Sequence, residues 1–153
     1  MELTLLADEP AAAETVAKWY FDQWCLDSGR HSFEFVLENV TKATRRDEAP
    51  LLVLAKIDQK LVGAAELKLH EMEMFPEYQH WLGGVYVRAH ARGQGIASAL
   101  VSEVIRLARE AGITHLYLQT EDLSGGLYNQ FGFKSLHEVD SKGVQVSVMM
   151  VEL

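Results

Sequence analysis

Arg92, Gly93 and Gly95 punctuate the stretch RAHARGQGIASAL (Arg88 to Leu100), where an apolar, strand-like run gives way to a basic loop and then to helical periodicity. Residues of these types in this order suit an anion. The consecutive N–H groups of Gly93, Gln94, Gly95, Ile96, Ala97 and Ser98 point outward at a helix start, where unsatisfied donors and the helix dipole favour negative charge. Gly93 and Gly95 let a diphosphate approach the backbone, and Ala97 leaves the first turn unobstructed. Arg92 adds a charge-assisted, bidentate contact. A Walker-type loop would need a lysine before Ser/Thr, yet no lysine occurs between Lys68 and Lys134. A dinucleotide fingerprint would need a third glycine where Ser98 stands, in a tight turn after the first strand, whereas about ninety residues precede this loop. The pyrophosphate of an acyl-CoA is the third reading, set against the plainer one of small residues at a helix start beside a solvated arginine.

The loop needs a strand before it and a helix after it. Trp81 to Val87 supplies the strand, with Gly83-Gly84 marking a bulge or a close backbone approach. Ile96, Leu100, Val104 and Ala108, flanked by Ala97, Val101 and Ile105, supply the helix, which Gly112 stops. Upstream, ELTLL reads as a strand. A helix running to about Trp24 follows, with Ala13, Val16, Ala17, Tyr20 and Trp24 on one side, and then a second helix capped by Ser32. Leu51 to His70 reads as a hairpin turning at Asp58-Gln59-Lys60, and Glu71 to His80 as an acidic loop. Downstream, ITHLYLQT is a strand, SGGLYNQFG a short helix, and Phe133 to Leu153 a hairpin across Ser141-Lys142-Gly143. The order β α α β β β α β α β β predicts an α/β fold of mixed α+β type: one domain over residues 1–153, with a largely antiparallel central sheet flanked by helices.

Fourteen Lys and Arg against 22 Asp and Glu leave a net charge of −8, which disfavours nucleic acid and anionic membrane as partners and favours a cationic small molecule or basic peptide. The single cysteine, Cys25, and the absence of a signal-like N-terminus predict a reducing cytoplasm. HEMEM opens like a zinc-binding His-Glu-x-x-His, but Met74 takes the second histidine's place, so no metal is expected.

VYVRAHARGQGIASAL resembles the cofactor signature of the GNAT superfamily of acyl-CoA-dependent N-acyltransferases, whose core Gln/Arg-x-x-Gly-x-Gly/Ala is met by Arg92, Gly95 and Ala97. GLYNQFGF, about thirty residues on, resembles that family's tyrosine motif through Tyr128, Gly132 and Phe133, and the element order agrees throughout. The resemblance implies a three-layer GNAT-like domain with acetyl-CoA as donor and CoA as product. It implies that the backbone of Val85, Tyr86 and Val87 receives the pantetheine arm, that Arg92 to Ser98 hold the pyrophosphate, and that Tyr128 stands near the thioester sulfur. A homodimer through a sheet edge or a helix face would be ordinary for the family.

The implied reaction is direct attack of a primary amine on the thioester. Presenting a lysine-like amine neutral at pH 7 costs about 4.6 kcal/mol, so something must take its proton. A tyrosine, with a pKa of about 10, stays protonated at that pH and suits Tyr128 as general acid toward a thiolate. The base is where the sequence departs from the family, because HWLGGVYV has no carboxylate. Glu66 on the neighbouring strand and His80 just before the loop strand are candidates, with Glu71, Glu73 and Glu121 on loops and a water relay as further routes. Glu66 alternates with Ala65 and Leu67 and also reads as a solvent-facing residue. The acidic loop from Glu71 to Glu77 suggests a cationic acceptor, either a small molecule or a protein amine, and equally suits a solvated surface. The rival reading is a non-catalytic acyl-CoA sensor or interaction module.

Overall fold

A computed structural model describes residues 1–153. One seven-stranded sheet carries the chain in the order β1-β2-β3-β4-β5-β7-β6. Its strands are β1 (Glu2–Leu5), β2 (Leu51–Ile57), β3 (Lys60–Leu69), β4 (His80–Val87), β5 (His115–Thr120), β6 (Lys134–Ser141) and β7 (Val144–Glu152). All neighbours are antiparallel except β4 and β5. The final hairpin pairs as its turn residues require, but β7 rather than β6 lies against β5. No helix is long and apolar enough to cross a membrane.

Helix α3 (Ile96–Glu110) packs on one face of the sheet. Its buried stripe of Ile96, Leu100, Val101, Val104, Ile105 and Ala108 meets Leu51, Val53, Ala65, Leu67 and Leu82. Helices α1 (Ala13–Tyr20) and α2 (Phe33–Thr41) cover the opposite face, burying Val16, Ala17, Tyr20, Val36 and Val40 against Leu52, Leu54 and Ala64. The Ser32 side chain accepts from Phe35 N–H at 3.1 Å and so caps α2. Strand β3 is therefore buried on both faces. The first helix does not run uniformly to Trp24: the α-helix ends at Tyr20, and a π-helical turn, Phe21–Cys25, follows. The wider turn rotates Trp24 off the buried side, leaving it 38 % exposed.

Two features of β4 shape the site. Between Tyr86 and Gly83 its register against β3 shifts, with Ala64 opposite Tyr86 but Glu66 opposite Gly83, and Gly84 sits in the bulge at φ 58°. On its other side β4 meets β5 through a single pair, Trp81 with Tyr117. A bulge bends its strand and sharpens the local twist, so beyond that pair the two strands diverge and β4 shows an unpaired backbone edge in mid-sheet.

Candidate active site

The cofactor residues expected from sequence converge on this divergence. A cleft of about 470 Å³ opens between β4, the start of α3, the π-helical turn and the turn after β5. Val85, Tyr86, Val87, Arg92, Gly93, Gly95, Ile96, Ala97 and Ser98 line it, while Gln94 does not. Gln23, Trp24, Ala91 and Leu127 complete the wall. The N–H groups of Gly93 through Ser98 find no acceptor within the protein, since the first helical bonds are donated by Ala99 to Gly95 and by the residues after it. Gly95 adopts φ 79° at the helix start, and a Cβ there would meet nothing within 4 Å. Six free donors over open space fit a diphosphate. The Arg92 Nε donates to the Val87 carbonyl at 2.8 Å, and its guanidinium lies 5.7 Å from the Tyr86 ring centroid, leaving its remaining N–H groups to face an anion.

The polar groups gather below the bulge. A Cβ on Gly84 would lie 2.6 Å from both Glu66 Oε2 and the Tyr20 hydroxyl, and one on Gly83 would lie 2.6 Å from Glu71 Oε1. Both glycines are thus emptied of side chain where three oxygen groups approach the strand. Glu66 is 6 % exposed, because Tyr20 of α1 covers its face of β3. The sequence left a solvent-facing Glu66 open, and the structure buries it. Burial pushes its pKa above the ordinary carboxylate value, while Lys68 and the Tyr20 hydroxyl pull it down and Glu71 pushes it up. The Tyr20 hydroxyl faces this carboxylate without a hydrogen bond of standard geometry. Glu71 takes an ion pair from Lys68 Nζ at 3.2 Å and a hydrogen bond from Gln119 Nε2 at 3.2 Å. Burial works to lower the Lys68 pKa, but the charges of Glu71 and then Glu66 outweigh it and hold the ammonium charged well above its usual range.

Tyr128 sits in a 3-10 turn, Gly126–Phe131, and packs edge-on against Phe133 with ring centroids 6.1 Å apart. Burial, then the charge of Glu71, raises its pKa, so the phenol is a donor across the neutral range. The loop carrying Glu71 is pinned to the far side of the sheet. Tyr78 stacks on Tyr117 at 4.0 Å, its hydroxyl bonds His137 Nε2 at 2.9 Å, and its carbonyl accepts from Trp81 Nε1 at 2.7 Å.

The structure places Glu66 and Glu71 together at the bulge, with Tyr128 near enough to Glu71 to feel its charge, and leaves His80 apart. His80 opens β4 opposite Leu69, four residues before Gly84 and so about 13 Å along the strand. It lines a separate hollow of about 420 Å³ with Glu77 and His115. Burial, then the nearby His70, lowers its pKa. Glu73 and Glu121 are exposed on loops. Lys68, Gln119 and Gln23 were not singled out from sequence as site residues, and Tyr20 and Trp24 were read only as one side of the first helix. The Gly83-Gly84 pair pointed to a close approach without naming what approaches.

A family model described as the acetyltransferase (GNAT) family matches residues 10–133. Human N-acetyltransferase 8B is 30 % identical over 101 residues, 64 % of this chain and 44 % of that protein, so the chain spans less than half the length of this relative. Among solved structures, a ribosomal-protein-alanine N-acetyltransferase from Brucella melitensis superposes with a TM-score of 0.78 at 21 % identity, covering 100 % of both chains. An aminoglycoside 6'-N-acetyltransferase complexed with coenzyme A gives a TM-score of 0.77 at 14 % identity, covering 99 % of this chain and 97 % of that one. With the fold shared from end to end and the family's pattern spanning most of the sequence, this chain belongs to the GNAT acetyltransferase family.

Proposed function

We propose that the protein moves an acetyl group from acetyl-CoA to a primary amine by direct transfer. The observation that supports this reading is the cleft beside β4: unpaired N–H donors at the start of α3 and the β4 edge from Val85 to Val87 line it, and the Glu66 and Glu71 carboxylates stand at the β4 bulge just before Val85. Bound acetyl-CoA supplies the electrophilic carbonyl and the thiolate leaving group. Arg92 and the N–H groups of Gly93 to Ser98 hold the diphosphate, and the backbone of Val85 to Val87 aligns the arm. Glu66 takes a proton from the acceptor's ammonium, freeing the lone pair that forms the new C–N bond. Tyr128 gives its proton to the sulfur as the C–S bond breaks and regains one from the nitrogen, so the balance is one amide, one thiol and one proton released. A carboxyl raised toward neutrality is a better base at pH 7 than an ordinary one.

The acceptor in this reading is cationic, since Glu66 and Glu71 outnumber Lys68 at the bulge and the chain carries −8 overall. The two structural relatives are named for a protein alanine and an aminoglycoside, both amine-bearing. The test is calorimetric titration with acetyl-CoA followed by thiol release against a panel of polyamines, amino sugars and peptides. Binding with turnover on a cationic amine is expected. Binding without turnover on any amine would replace the enzyme with an acyl-CoA sensor, and no binding at sub-millimolar concentration would remove both.

A further inference from the structure

The last turn of α1 delivers Tyr20 to the β4 bulge. Its ring is buried, 7 % exposed, and packs with Val16, Ala17 and Ala64, with Trp24 5.3 Å away. Its hydroxyl is enclosed and has no hydrogen-bond partner of standard geometry. An enclosed hydroxyl left without a partner would cost about 1–3 kcal/mol, and the Glu66 carboxylate is the acceptor that stands beside it. The hydroxyl and Glu66 Oε2 border the same point above Gly84, each 2.6 Å from where a Cβ would stand, and the glycine at φ 58° leaves that point empty. The bulge, the missing side chain and the enclosed hydroxyl beside Glu66 therefore form one device: a small polar recess roofed by β4.

We infer that Tyr20 is a positioning residue for the transfer reaction, its hydroxyl donating to Glu66 and fixing the carboxylate that takes the acceptor's proton at the β4 bulge. This rests on the reading of Glu66 as base. The groups facing Glu66 are Tyr20 from α1, Lys68 from its own strand and Glu71 from the following loop. The β4 residues opposite are Gly83 and Gly84, and the β2 partner is Leu52. Donation to the ionised carboxylate favours its charged form, so removing the donor must move Glu66 ionisation to higher pH.

The experiment uses the full chain with the best amine from the panel. Tyr20→Phe keeps the ring, and a thermal melt confirms that the fold survives. A roughly tenfold lower kcat is expected, with the KM for acetyl-CoA unchanged and the acid limb of the kcat/KM profile displaced upward by about one pH unit. Glu66→Gln separates the two ideas, because it should abolish that limb. An abolished limb in Glu66→Gln with an unmoved limb in Tyr20→Phe overturns the role of Tyr20 and keeps Glu66. A limb that survives Glu66→Gln overturns both.

Discussion

At the scale of single residues the proposed transfer assigns different work to a phenol and a buried carboxylate, and each makes a distinct prediction. Tyr128→Phe deletes only the proton donor, so kcat should fall at least tenfold while the affinity for acetyl-CoA in calorimetry changes little. Glu66 carries a stability signature as well. Its folded pKa is raised, so folding favours the protonated form: the stabilisation is intact below the ordinary carboxylate range and is lost as pH rises through the folded value. Glu66→Gln should therefore melt above wild type at pH 8, with the gap closing toward about pH 4 as wild type becomes protonated too. Losing activity while gaining stability would mark a site kept for function. The two groups differed in how legible they were. Tyr128 stands in a motif contiguous in the chain, whereas the role of Glu66 depends on a helix forty-six positions earlier covering one face of its strand. Alternation along β3 records which residues share a face and says nothing of what covers it.

At the scale of elements, the strand, loop and helix around Gly95 were readable because their signals are local: a helical period, a glycine stop and consecutive small residues. The bulge was readable only as a glycine pair, and the π-helical turn not at all, because widening a helix by one residue changes no residue type. Gly84→Ala tests the bulge. Its Cβ would collide with Glu66 and Tyr20, and φ 58° strains any L side chain, so urea unfolding should show a loss of about 2 kcal/mol or more. The π-helical turn offers a different readout. Trp24 lines the cleft and is 38 % exposed, so tryptophan emission should shift on addition of CoA, and Trp24→Phe should remove most of that shift while leaving the binding stoichiometry intact. Arg92→Ala, which removes a cation and the brace on the Val87 carbonyl, should weaken CoA binding about tenfold in calorimetry.

At the scale of the whole molecule, a chain of net charge −8 that, in the proposed reading, holds an anionic diphosphate at one helix start leaves the rest of its surface field to draw cations. Raising ionic strength from about 50 to about 500 mM should raise the KM of a polycationic acceptor several-fold, with a smaller effect on a monoamine of similar size. The sheet's strand order was beyond sequence reasoning, because inserting β7 between β5 and β6 is decided by pairing across the chain rather than by any local pattern. That order leaves β1 to β4 and β5 to β7 as two ladders joined by the single pair of Trp81 and Tyr117. Apart from the outer edges of β1 and β6, this seam is where the sheet's backbone lacks a neighbour. A pantetheine arm lying in it, as proposed, would act as a missing strand, so amide hydrogen exchange at Val85 and Val87 should slow when CoA is present. The shared core and the Tyr78–Tyr117 stack already hold the two ladders together, and a loaded donor would add the backbone link that the seam lacks, through the same contacts that select it.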